Sequence, residues 1–158
     1  MFPAKLPCQL QAGHVLSGKY QIEEELGSGG FGCVYAAVNL NLHTRVAIKL
    51  RREPGPDARL WREAQLAAAL KSPHSVRIFD VDRLEDGTPY IVMEFLEGQT
   101  LRDYLRQIEK APLERAVTWA LQICAVLGEA HAAGLVHRDI KPSNLFLVQR
   151  GSADAHVA

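Results

Sequence analysis

His137-Arg138-Asp139-Ile140-Lys141-Pro142-Ser143-Asn144 packs five functional side chains into eight residues, between a run of helix formers and the short apolar segment Leu145 to Val148. A carboxylate such as Asp139 can orient a hydroxyl and accept its proton, and Asn144, five residues on, can offer an amide oxygen to a magnesium ion. Lys141 adds a positive charge suited to lie beside a phosphoryl group in transfer. Pro142 enforces a turn, so these groups are presented from a loop. A merely structural polar loop around Pro142 gives no reason for that grouping.

Outward from this loop the chain divides by pattern. A short helix is predicted over Leu101 to Gln107. A long one opens at Pro112 and closes at Gly134, with Ala116, Ala120, Ile123, Leu127 and Ala130 as its buried stripe. Before Gly98 the signal is strand: Tyr20 to Leu26, Cys33 to Val38, Arg45 to Leu50, Val76 to Val81 and Tyr90 to Phe95 are separated by turn formers. In the third of these, alternation puts Val46, Ile48 and Leu50 on one face and Ala47 with Lys49 on the other. Pro54-Gly55-Pro56 marks a loop, and Ala58 to Lys71 reads as a helix carrying Glu63. Residues 1–16, broken by Pro3 and Pro7, read as an irregular leader.

Between the first two strands lies Leu26-Gly27-Ser28-Gly29-Gly30-Phe31-Gly32-Cys33-Val34, where missing side chains let backbone N–H groups approach phosphate oxygens. Dinucleotide-binding folds use the same glycine spacing, but there it opens a helix. Here a strand follows, which favours a flap over phosphates; taken alone, a bland glycine hairpin remains open. Lys49, fifteen residues past Val34, can neutralise phosphates, and Glu63, fourteen further on, can pair with its ammonium. Each by itself is also an ordinary surface residue.

Composition narrows the partners. The 158 residues are 47% apolar, enough for a core, and eighteen basic side chains cancel eighteen acidic ones. No field of one sign gathers nucleic acid or anionic lipid, so nucleic acid is not an expected partner. Cys8, Cys33 and Cys124 are scattered without zinc-ligand spacing, which fits a reducing, cytoplasmic setting. The first sixteen residues lack a continuous apolar run, so neither a signal peptide nor a membrane segment is expected.

Glycine loop, Ala-x-Lys lysine, helix glutamate and His-Arg-Asp-x-Lys-Pro-x-Asn follow one another in an order and spacing that resembles the protein kinase family, over Tyr20 to Ala158. The resemblance implies an α+β, two-lobed fold: a complete five-stranded antiparallel N-lobe with one helix (17–97) and the first part of a helical C-lobe (98–158). It implies ATP and Mg²⁺ as cofactors and a protein substrate with a serine or threonine acceptor, since Lys141 looks like the serine/threonine subgroup. Asp139, Lys141, Lys49 and Glu63 would then be catalytic and Asn144 a metal ligand. Arg138 would be regulatory, pairing with a phosphorylated loop. By the same analogy Gly27, Ser28, Gly29, Gly30, Phe31 and Gly32 cover the phosphates. Leu26, Val34 and Ala47 roof the adenine, Met93 is the gatekeeper, Glu94-Phe95-Leu96 the hinge and Phe146 the pocket floor.

The family's Asp-Phe-Gly motif, about a dozen to twenty residues beyond the loop asparagine, is absent from the fourteen residues after Asn144. The expectation is therefore a fragment that is inactive by itself, with apolar surface of the long helix left uncovered. A nucleotide-binding or interaction module of pseudokinase type is the alternative, and small-molecule phosphotransfer is disfavoured by Lys141 and Pro142.

Overall fold

A computed structural model of the chain describes residues 10–29, 32–51, 64–65, 67–108, 110–149 and 155–157. They fall into two compact units, residues 1–64 with 77–95 and residues 65–76 with 96–158.

The first unit is an antiparallel sheet of β1 (Val15–Leu16), β2 (Tyr20–Gly29), β3 (Gly32–Asn39), β4 (Thr44–Leu50), β5 (Ile78–Arg83) and β6 (Pro89–Glu94), in the order β1-β2-β3-β4-β6-β5. The five strands expected from sequence become six. The addition, β1, lies in the stretch read as irregular: two residues are too few to show a period. Ser17 and Gly18 both have positive φ (48° and 65°) and form the tight turn, closed by Lys19 N–H to Leu16 O at 2.8 Å, that returns the chain into β2. Leu16 is thereby drawn into the core.

That core occupies one face of the sheet. Leu16, Tyr20, Ile22, Cys33, Tyr35, Ala37, Val46, Ile48, Leu50, Tyr90 and Val92 make one buried cluster, every second residue along each strand. The tyrosine hydroxyls of this cluster find polar partners outside it. Tyr20 donates to Asp80 at 3.2 Å, and Tyr90 donates to Asp82 at 3.2 Å while meeting the Ser17 hydroxyl at 2.8 Å. Burial, then the charge of Asp80, pushes the Tyr20 phenol up to about 12. The helix expected over Ala58 to Lys71 is seen at residues 64, 65, 67 and 68. Its Glu63 lies outside the described residues, as do Gly30 and Phe31 of the glycine loop.

The second unit contains α1 (Leu101–Gln107), α2 (Leu113–Ala132) and a small sheet of β7 (Gly98–Thr100), β8 (Phe146–Gln149) and β9 (Ala155–Val157) in the order β7-β8-β9. Thr100 caps α1 by accepting from Asp103 N–H at 3.1 Å. At the end of α2, Leu135 N–H reaches Ala130 O at 2.8 Å and Gly134 N–H reaches His131 O at 2.9 Å, with Gly134 at φ 77°. This glycine-dependent cap satisfies the last carbonyls and stops the helix where the sequence signals. Three-residue β7 was not legible, because only pairing with a strand some fifty residues later defines it.

Four of the five positions of the predicted stripe on α2 are covered, and Trp119 takes the place of Ala120. Trp119 and Ala130 are buried, Ala116, Ile123 and Leu127 are half-buried, and Ala120 is exposed. The cause is the indole of Trp119, which meets Tyr104 edge-on at 5.6 Å and packs with Leu101 and Leu147. The opposite face leaves Leu113, Val117 and Leu121 exposed. Residues 65–76 join this unit through Glu129 on α2, whose carboxylate accepts Lys71 N–H at 2.7 Å and Ser72 N–H at 2.8 Å.

Two glycines of one loop give a direct test of this packing. At Gly32, φ is 136° and a Cβ would overlap the Leu50 carbonyl oxygen, whereas a Cβ at Gly27 meets nothing. Gly32→Ala is expected to cost about 1–3 kcal/mol and Gly27→Ala less than about 0.5 kcal/mol, measured by chemical denaturation.

Candidate active site

The sequence-predicted residues lie in two groups, one in each unit. In the first, the register is Val34↔Lys49, Ala36↔Ala47, Ala47↔Met93 and Lys49↔Ile91. Since the alternate residues fill the core, these side chains share the opposite face. Ala36 and Ala47 are buried, Val34, Ile91 and Met93 half-buried, and Lys49 exposed. The result is a shallow floor of small apolar groups, suited to a flat ring, with an ammonium at one end. Ala36 and Ile91 were missed in the sequence; alternation from Val34 and Lys49 would have found them once the register was known. Gly29↔Gly32 is the last β2–β3 pair, so Gly27, Ser28 and Gly29 lie within the strand itself. Leu26 beside them is exposed. Glu94 ends β6 with its N–H donated to Arg77 O at 2.8 Å.

In the second unit the loop of His137 to Asn144 is built by local bonds. Pro142 opens a single 3₁₀ turn to Asn144, whose N–H donates to Lys141 O at 2.8 Å. Arg138 takes a left-handed conformation, φ 62°, a strained choice for a non-glycine residue. Asp139 N–H points at His137 Nδ1 at 3.3 Å. The next strand fixes the loop's far end: Leu101 N–H donates to Leu145 O at 2.7 Å, and Phe146 pairs with Thr100. Phe146 is half-buried against Gly98, where a Cβ would crowd its ring and overlap the Leu147 carbonyl oxygen. Leu96, the last residue of the expected hinge, is half-buried and belongs to this unit, whereas Glu94 and Phe95 belong to the first.

Asp139 is the focus. Its Oδ2 lies 2.8 Å from Lys141 Nζ and accepts Asn144 Nδ2 at 2.8 Å, while the same Nδ2 is 2.9 Å from Asp139 O. Both partners of the Asn144 amide are acceptors, so its nitrogen must face them and its oxygen must face away. That oxygen is a hard donor of the kind magnesium takes, so the residue fits the metal role. Among the described residues no cluster of three or more His, Cys, Asp or Glu could hold a metal. The hydrogen bond from Lys141, then that from Asn144, holds the Asp139 carboxyl below the usual carboxylate range.

A family model described as the protein kinase domain matches residues 20–156, and the chain belongs to that family. More particularly, its curated relatives are serine/threonine protein kinases. A probable serine/threonine-protein kinase of Streptomyces coelicolor is 41% identical over 144 residues, covering 86% of this chain and 21% of the relative. Serine/threonine-protein kinase PknB of Mycobacterium leprae is 38% identical over 140 residues, covering 84% and 22%. The chain thus spans about a fifth of the length of the curated relatives it matches. The crystal structure of the Mycobacterium tuberculosis PknI kinase domain matches with a TM-score of 0.79 at 25% identity, covering 94% of this chain and 60% of that one.

The Asp139 bonds have a measurable signature. The downward shift means that they favour the ordered loop above the ordinary carboxylate range and are lost as pH falls through the lowered value. Lys141→Met should move the Asp139 titration upward, towards an ordinary aspartate, as read from its carboxyl ¹³C shift against pH.

Proposed function

We propose that these residues serve ATP-dependent phosphoryl transfer to serine or threonine hydroxyls of a protein substrate. The observation that carries the reading is the cluster at Asp139, where a carboxylate kept ionised by Lys141 and Asn144 retains Oδ1 for an incoming hydroxyl. Asp139 orients that hydroxyl and accepts its proton at the carboxylate. Lys141 would pair with the phosphoryl oxygens as negative charge develops there. On the sheet, Lys49 neutralises phosphates while Ala47, Val34 and Met93 receive the base, and Glu94 and Leu96 offer backbone groups to its edge. Gly27 to Gly32 would cover the phosphates with backbone N–H groups and Leu26 would roof the ring, while the assignment of Phe146 as pocket floor comes from the likeness to protein kinases. Glu63 would orient Lys49, and Arg138 would answer a phosphorylated loop.

Magnesium, when bound, would supply charge neutralisation at the phosphates, and Asn144 Oδ1 is the donor this chain would bring to it. The Asp-Phe-Gly aspartate that would share this task is not among the 158 residues. Among the described residues no helix is long and apolar enough to cross a membrane.

Titration of the 158-residue chain with Mg-ATP, with a radiolabelled transfer assay on the same sample, tests this reading. The expected outcome is binding without transfer, abolished or strongly weakened by Lys49→Met. Absence of binding would overturn the proposal, and transfer would show that another metal ligand stands in for the missing aspartate. In a catalytically competent protein bearing these residues, Asp139→Ala should lower turnover roughly a hundred- to ten-thousandfold; retained turnover would remove Asp139 from its role.

A further inference from the structure

The β4–β6 ladder ends at the pair Val46↔Glu94. One more step in that register would set Arg45 opposite Phe95, and there a side-chain contact takes over from the backbone. The Arg45 guanidinium lies 4.1 Å from the centroid of the Phe95 ring, within the range in which a ring face attracts a cation. The guanidinium is itself held from the other side. Its Nε donates to Glu23 Oε2 at 2.8 Å, and its NH2 lies 3.8 Å from Glu24 Oε1. On the preceding residue, Glu94 N–H is tied to Arg77 O at 2.8 Å. The peptide linking Glu94 to Phe95 is thus gripped at both ends, by main chain before it and by the stacked guanidinium after it.

We infer that Arg45 is a positioning residue for the backbone at Glu94 and Phe95, acting through the Phe95 ring to fix the groups that meet the adenine edge. The inference rests on the reading of that segment as the base-binding hinge. The stack, more than the ion pair, must deliver the effect. The Arg45 side chain is 45% exposed and that of Glu23 36%, and a surface pair of this kind contributes little by itself. A planar guanidinium can stack and pair at once, which a lysine ammonium cannot do as well. If Arg45 only covered an exposed ring, its removal would change stability and nothing specific to the base.

Titrations of the 158-residue chain and of the Arg45→Ala, Phe95→Leu, Phe95→Trp and doubly substituted Arg45→Ala/Phe95→Leu variants separate these cases. The probes are Mg-ATP, adenosine and magnesium tripolyphosphate, with a thermal melt of each variant. Arg45→Ala and Phe95→Leu should each weaken Mg-ATP and adenosine about two- to fivefold, the worth of a partly exposed cation–π contact, and leave tripolyphosphate unchanged. The double variant should lose no more than either single one, because both remove the same contact; Phe95→Trp, which keeps a ring face under the guanidinium, should lose less than Phe95→Leu. Equal losses for all three probes, additive losses, or no loss overturn the role of Arg45. A wild-type chain that binds none of the probes overturns the nucleotide reading itself and this inference with it, so the two failures are told apart by the wild-type titration.

Discussion

The register that runs unbroken across β3, β4 and β6 is the constraint from which the first unit follows. Because side chains alternate, one residue of slip would carry Lys49 into the core and expose Ile48 in its place. The core cluster forbids that slip. Tyr35, Ile48, Tyr90 and Val92 are fully buried on one face, and a one-residue slip would turn a strand's share of them to the other. The ammonium and the small residues Ala36 and Ala47 are therefore displayed on the other face as a by-product of packing. Here the hydrophobic effect, which has no chemical preference for phosphate or adenine, sets the position of the groups that would receive them.

In the second unit the polar loop is held by means that owe little to burial. Asp139, Lys141 and Asn144 are all substantially exposed, and their order comes from short-range hydrogen bonds and a proline-started turn. The strained backbone of Arg138 persists because both ends of the loop are anchored, through α2's capped terminus before it and the β7–β8 pairing after it. Strain at one residue is tolerable where the neighbours leave it no alternative.

Much of this could be read from the chain before any coordinates. Lys49 and its face followed from alternation, α2 from the proline and glycine that bound it, and the loop of Asp139 from the density of reactive side chains. What escaped had physical reasons. The pair Val15–Leu16 and the triplet Gly98–Thr100 are shorter than any period, and each exists because a distant partner supplies its hydrogen bonds. The stripe on α2 was misread only at Ala120, because helical spacing does not reveal that its neighbour Trp119, by sheer area, will claim the covered side. The resemblance to protein kinases named the site residues, while bonds such as Asn144 to Asp139 became visible only in three dimensions. For Glu63, Gly30 and Phe31 the reading stays one of sequence.

The carboxylate of Glu129 also bears on how the molecule is made. Its two amide partners precede it in the chain by 58 and 57 residues. During synthesis, the sheet of the first unit has all its strands once residue 94 has emerged, yet the segment of residues 65–76 spliced between β4 and β5 must wait for α2. For that interval the ribosome holds a chain whose sheet can close while an internal loop is still without its anchor. Strand pairing and helix docking are thus separated in time by the order of the gene, and the last turn of α2 completes a structure begun half a chain earlier.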